Sequence, residues 1–358
     1  MLTPSLRSVA EIQPWQNLAA KKEHPMSWFN DIFGFEESTY AETRANFYID
    51  GPLLHARGQP SRTFHAGILT LPSLAELRKA VCATEVSRGG GIKLSSLVAD
   101  VYELHGWPEA NGALIQVASQ FNLLEMPSQH TTPEKGITSY QHDYTQGPSC
   151  AMACAAATVF RNYLVPVGSQ TGQTQTCQLN ALADMDRVIG IGGIRMQNGY
   201  ALLQPDTVLA IGKHIEAMDE LSRDKVRQYL RVGLHSDTEV TTPGVPKGQR
   251  VSQALCSALP VAYHYSPRRD WAPFATLVLE ASYEATLLAA VLNYHHTGNP
   301  RVYLTLVGGG AFGNDLIWIV SALRRALYLV SHHPLDVRLV SKRKVPVAIN
   351  SLIREFKS

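Results

Sequence analysis

The sequence predicts an α/β fold, with a mixed, largely parallel sheet flanked by helices and an N-terminal α+β elaboration. Three observations predict it. From about residue 113, apolar runs of strand length alternate with runs of helix length, the pattern of a parallel sheet covered on both faces. FATLVLEASYEATLLAAVLN (274–293) is a long, nearly apolar helix that needs burial between layers. RVYLTLVGGGAFGN (301–314) is a strand running into a glycine-rich loop, and DLIWIVSALRRALYLV (315–330) is the helix that this loop opens.

The elements follow in order. MSWFNDIFGFEE (26–37) places aromatic residues at helical spacing and reads as a packing element over the main core. TFHAGILTL (63–71) reads as a strand. Ser73 and Glu76 have the spacing of a capping box and open a helix. Gly89, Gly90 and Gly91 form a loop with no helix close behind. ALIQVASQF (113–121) is a buried-type strand that ends at Asn122. CAMACAAATVFRNYL (150–164) is a small-residue helix, and Cys150 and Cys154 lie one turn apart on it as packing groups. A polar linker (168–178) leads to a helix carrying Leu179, Leu182 and Ala183. A short strand (199–204), an amphipathic helix (206–221) and a strand (229–236) ending at Asp237-Thr238-Glu239 come next. A loop (240–250) follows, and LDVRLVS (335–341) is the last strand.

The chain has 358 residues, 45% of them hydrophobic and 17% charged, which is too apolar for a disordered chain and ample for a large core. Lys+Arg 32 against Asp+Glu 30 leaves a formal net charge of +2, so no basic field predicts nucleic acid as a partner. No uninterrupted apolar run reaches the length of a membrane span, and residues 1–15 lack the pattern of a secretory signal. The five cysteines show no CxxC spacing, and the 13 histidines form no HExxH, so neither a disulfide framework nor a metal site is expected. The expectation is a soluble chain of the cytoplasm.

The glycine loop is the sharpest chemical feature. Glycines let backbone N–H groups turn toward a ligand, and the helix N-terminus beyond adds partial positive charge. A diphosphate is the natural guest, held against Gly309, Gly310, Ala311, Phe312, Gly313 and Asn314. The spacing fits neither a dinucleotide fingerprint nor a P-loop. Asp237 and Glu239 alternate with Thr238, so in extended backbone both carboxylates face one side. Such a pair suits cleavage of a glycosidic bond at a ribose carbon, where positive charge develops. Asp143, Asp184 and His235 are weaker candidates.

GGGAFGN between strand and helix resembles the second phosphate-binding loop of macrodomains, the ADP-ribose-binding modules. With ASQFNLLEM, DYTQGPSCA, SDTEVT, SQALCSALPVAY and EASYEATLLAA, the set is similar to the MavL-type ADP-ribosylhydrolases over residues 110–345. The resemblance implies a macrodomain-like core at 111–345, an elaboration at 1–110 packed on it, and a C-terminal tail at 346–358. It implies Phe312 beside the distal ribose, Asn122 and Glu125 at ribose or adenine contacts, and Gln146, Gly147 and Ser149 in the first ligand loop. It implies Asp237 and Glu239 as the catalytic acids, with no cofactor and no metal. The partner would be ADP-ribose or an ADP-ribosylated protein. The activity would be release of ADP-ribose, with arginine as the modified residue, or ADP-ribose binding without turnover. The compartment would be the cytoplasm, or a host cytosol for an effector.

Overall fold

The computed structural model describes residues 27–84 and 90–356. Expectations for Met26, for Gly89 and for the first 15 residues lie outside the described residues. The chain opens with a three-stranded antiparallel sheet of β1 (Phe47–Asp50), β2 (Leu53–Ala56) and β3 (Arg62–His65). The helix Trp28–Phe33 covers it, and Phe29, Phe33, Phe35, Phe47 and Phe64 pack ring against ring. The expected single strand at 63–71 is two strands in different sheets. The chain turns at Gly67, where φ is +81° and a Cβ would strike the Ser236 carbonyl, so only glycine fits the close approach.

The main sheet takes β4 (Ile68–Thr70), β5 (Lys93–Val98) and β6 (Leu114–Ala118). Two short hairpins follow outside it, β7 (Pro166–Val167) with β8 (Gln170–Thr171), and β9 (Arg195–Gln197) with β10 (Tyr200–Leu202). It is completed by β11 (Gly233–Glu239), β12 (Arg250–Cys256), β13 (Arg301–Leu304) and β14 (Asp336–Ser341). The seven-stranded order is β4-β11-β12-β6-β13-β14-β5. From β12 to β5 all pairs are parallel, while β11 is antiparallel to both its neighbours. This is the mixed, largely parallel sheet that the alternating pattern predicts. Residues 68–70 and 93–98 supply its two edges, so the sheet extends across the expected division at residue 110.

Strand alternation assigns the two faces. Leu114 and Ala254 join the cluster around the helix Arg268–Thr297, while Ile115, Val117 and Leu255 join the one around Cys150 and Cys154. The helices Leu74–Ala83, Pro205–Ala217 and Leu316–Leu329 pack around Arg268–Thr297 on the first face. Ser73 and Glu76 do form a reciprocal capping box. Arg268–Thr297 is long and apolar enough to cross a membrane by composition, yet 83% of its most apolar window is buried in the fold, so it serves as the core helix. The expected tail at 346–358 contains the helix Val347–Glu355, with Ile349 and Leu352 buried.

The second face carries Gln146–Ala153 and Ala155–Val159. The small-residue helix predicted at 150–164 therefore begins earlier, breaks at Cys154 (φ −121°, ψ 62°) and ends in a wide turn at Phe160–Leu164. Its small side chains allow the close approach: a Cβ at Gly147 would strike the Ala118 carbonyl.

Candidate functional site

The parallel strands β6, β13 and β14 point their carboxyl ends at one cleft of about 430 Å³, within the size range of small-ligand sites. One wall is the segment after β13, from Thr305 to Phe312. The opposite wall is Asp143 to Ser149, the entry to the helix on the second face. The turn Ala118 to Pro127 closes the inner side, and Asp100 and Lys342 stand at the β5–β14 end.

The glycine loop is built to hold its shape. Gly308 has φ +77°, and a Cβ there would sit 2.5 Å from the Ala258 methyl. Asn314 Nδ2 donates to Leu259 O at 2.8 Å, and Asn314 N donates to Gly308 O at 2.9 Å. Gly313 N closes a turn onto Gly310 O at 3.0 Å. The N–H groups of Gly310, Ala311 and Phe312 donate to no protein group among the described residues, and all three residues line the cleft. Consecutive free amides of this kind make an anion cradle. Gly309, Gly313 and Asn314 belong to the loop and shape it without lining the cleft. The helix beyond contributes less than expected, because the Asp315 carboxylate already caps it at Ile317 N, 3.0 Å away.

The opposite helix end is open. Thr145 makes no side-chain cap, and the Gln146 and Gly147 N–H groups have no protein acceptor among the described residues. The Gln146 side chain is already engaged. It accepts from Ala118 N at 2.7 Å and donates to Gln116 O at 2.7 Å, within β6 and past the point where its pairing with β13 ends at Ile115. Gln146 thus locks helix to strand, and its backbone faces the ligand wall. Ser149 lines the cleft, with its hydroxyl donating to Thr145 O at 2.9 Å.

Glu125 is the buried carboxyl of the cleft. Its side chain is fully covered, and its pKa is pushed up to about 7, by burial first, against the lowering effect of Arg161 at 3.4 Å. That ion pair is long, so the guanidinium recovers only part of what desolvation costs. Arg161 is itself buried and donates to Leu123 O at 2.9 Å, holding the turn in which Leu123 takes φ +65°. Tyr140 Oη accepts from Glu125 N at 3.0 Å. Asn122 does not reach the cleft. It is fully buried, donating to Gln178 Oε1 at 2.8 Å and accepting from Leu124 N at 3.1 Å, so it shapes the turn.

Asp237 and Glu239 lie elsewhere, which corrects the expected convergence of acids and glycine loop. Glu239 pairs with Arg250 at the start of β12, whereas the cleft opens beyond Cys256 at its end. Six residue steps at about 3.3 Å each put the two sites ~20 Å apart. The physical reason is strand direction: β11 runs antiparallel, so its carboxyl end reaches the amino edge of its parallel neighbours. A register shift between His235 and Thr238 adds a bulge, with Asp237 at φ +58°. Asp237 pairs with Arg250 at 2.9 Å and braces β11 against β12, while Glu239 accepts from His65 N at 2.7 Å and ties β11 to the N-terminal sheet. His235 is buried and its pKa is held well below the ordinary value, by burial first, then by Arg161. Asp184 pairs with Arg231 at 2.7 Å, away from the cleft.

The cleft also contains groups with no local sequence signal. Tyr200, Tyr263 and Phe312 form an aromatic trio with centroids 5.3–5.7 Å apart. They come from a hairpin, a short turn after β12 and the glycine loop, so only folding brings them together. Lys342 is the one cation among the described lining residues, and its Nζ donates to Tyr144 O at 2.8 Å.

No family model and no curated protein match the chain. Among solved structures, it is similar to a poly(ADP-ribose) glycohydrolase from Thermomonospora curvata, at 13% identity and a TM-score of 0.42, covering 88% of this chain and 97% of that one. It is also similar to a mutant poly(ADP-ribose) glycohydrolase from Deinococcus radiodurans in complex with ADP-ribose, at 11% identity and a TM-score of 0.41, covering 90% of this chain and 99% of that one. Scores of this size leave the chemistry of the cleft to its own residues.

Proposed function

We propose that the cleft binds ADP-ribose and that the protein releases ADP-ribose from a modified protein. The observation that carries the reading is the run of free amides at Gly310, Ala311 and Phe312 facing the uncapped end of Gln146–Ala153 across one cleft. Two sets of unpaired donors on opposite walls suit a diphosphate between them. The motif resemblance supplies the rest of the ligand, with Phe312 along the distal ribose. Asp100 at the far end is a carboxylate acceptor suited to an exocyclic amine.

Hydrolysis breaks the bond between ribose C1 and the leaving group and adds a water hydroxyl at that carbon. The leaving atom gains a proton from an acid, and the proton the water gives up restores that acid. Glu125, with its pKa near neutrality, holds a proton over part of the working range and is the group we assign to supply it. The leaving group in this reading is an arginine guanidine. A second reading, ADP-ribose binding without turnover, is favoured by the complete covering of the Glu125 side chain and its contact with Arg161. Calorimetric titration with ADP-ribose tests the shared part, and absence of binding would end both readings. Incubation with ADP-ribosylarginine protein then separates them: free ADP-ribose in solution marks the enzyme, and its absence in a chain that binds ADP-ribose marks the binding module.

A further inference from the structure

We propose that Glu37, in the N-terminal elaboration, is a positioning residue that sets the wall of the cleft from outside it. Its carboxylate accepts from Ile137 N at 2.9 Å, from Thr138 N at 2.8 Å and from the Tyr163 hydroxyl at 2.5 Å. Among the described residues three donors and no cation hold this charge, an arrangement that depends on geometry rather than on ion pairing. The neighbouring Gly136 has φ +78°, and a Cβ there would run into the Glu37 carboxylate, so the backbone is shaped around it. Trp28 Nε1 adds a second tie, donating to Thr138 O at 2.9 Å.

From this clamp an unbroken chain of hydrogen bonds runs to the cleft. Tyr140 N donates to Ile137 O at 3.0 Å, and Tyr140 Oη accepts from Glu125 N at 3.0 Å. Asp143 N donates to Tyr140 O at 3.1 Å, and Asp143 Oδ1 accepts from Thr145 N at 2.9 Å. Gln146 follows directly and is locked to β6. The residues that line one wall and the residue placed at the chemistry are thus held through Ile137 and Thr138. Without Glu37, two backbone donors and a tyrosine hydroxyl lose their acceptor, and the wall loses its fixed position.

Glutamine separates geometry from charge. Its Oε1, at the carboxylate position 3.0 Å from Ile137 N and 2.8 Å from Thr138 N, accepts from both backbone amides, and its Nε2, which gives up the second Ile137 contact, donates to the Tyr163 oxygen, whose hydrogen turns away. Alanine offers neither contact. Phe64→Leu loosens the same module at its aromatic core, where the ring packs edge-on against Phe33 and takes no part in the hydrogen bonds of Glu37.

The test compares the full chain with Glu37→Ala, Glu37→Gln and Phe64→Leu. It reads amide exchange over residues 137–146 without ligand, and ADP-ribose affinity by calorimetry. Glu37→Ala should speed exchange in that segment and weaken binding, each about tenfold, the scale of one buried donor left unpaired. Glu37→Gln should restore both to within about threefold, and Phe64→Leu should leave both near wild type. Wild-type exchange in Glu37→Ala, no rescue by glutamine, or an equal loss in Phe64→Leu overturns the proposal. If Glu37→Ala does not fold, Glu37→Asp, one methylene short of the amides, takes its place with the same expected losses. The affinity arm rests on the functional reading above, and the exchange arm does not. A wild type that fails to bind ADP-ribose sinks that reading while exchange still decides the clamp.

Discussion

Gly310 is the position at which the anion cradle can be tested with least disturbance to the fold. It lines the cleft, its φ lies outside the left-handed region, and a Cβ built on it meets nothing within 4 Å. Gly310→Ala should therefore leave stability within about 0.5 kcal/mol of wild type, as at ordinary surface positions. Gly310→Glu adds a carboxylate beside the proposed diphosphate. At about 5 Å and an effective dielectric of about 20, two like unit charges repel by about 3 kcal/mol, which is about two orders of magnitude in affinity. Salt should soften the loss, because the site is open to solvent. The assay is calorimetric titration of ADP-ribose into wild type and both variants at low and high salt, with melting curves alongside. Gly308→Ala provides the contrast. There φ is +77° and the new methyl would lie 2.5 Å from Ala258, so the loop itself should distort, lowering stability by about 1–3 kcal/mol along with affinity. Unchanged affinity in a folded Gly310→Glu variant would place the diphosphate elsewhere and refute the cradle.

Two further predictions follow from the acids. Burial raises the Glu125 pKa from 4.5 to about 7, so the folded state holds this proton more tightly than the unfolded chain does. Its contribution to stability is then fully present below about 4.5, falls as the pH rises toward 7, and is flat above that; Glu125→Gln should remove that slope in melting curves, and any turnover should decline through the same upper limit in wild type. Asp237→Ala, at the far edge of the sheet, should leave ADP-ribose affinity and turnover within about threefold of wild type, and a loss of two orders of magnitude in a folded variant would return it to the chemistry.

Features that depend on neighbouring residues are legible in the chain. The glycine run between strand and helix, the capping box at Ser73 and Glu76, and the apolar length of Arg268–Thr297 each appear in the structure close to where their local patterns place them. These features follow from backbone conformation and burial over a few turns of chain, and both are written in adjacent residues. Features that depend on strand direction and on distant partners are set by the folded arrangement. Nothing in SDTEV tells whether its strand runs with its neighbours or against them, yet that direction alone moves Asp237 and Glu239 from the cleft to the opposite edge. β12, between the loop at 240–250 and the long helix, carries no alternation, because it is buried on both faces. The same limit hid Tyr200, Tyr263 and Lys342, which share a wall only after folding, and Glu37, about a hundred residues from the amides it holds. A hydrogen bond across such a separation leaves no periodicity in the chain, since its geometry is set by how the N-terminal sheet packs on the core rather than by the residues beside it.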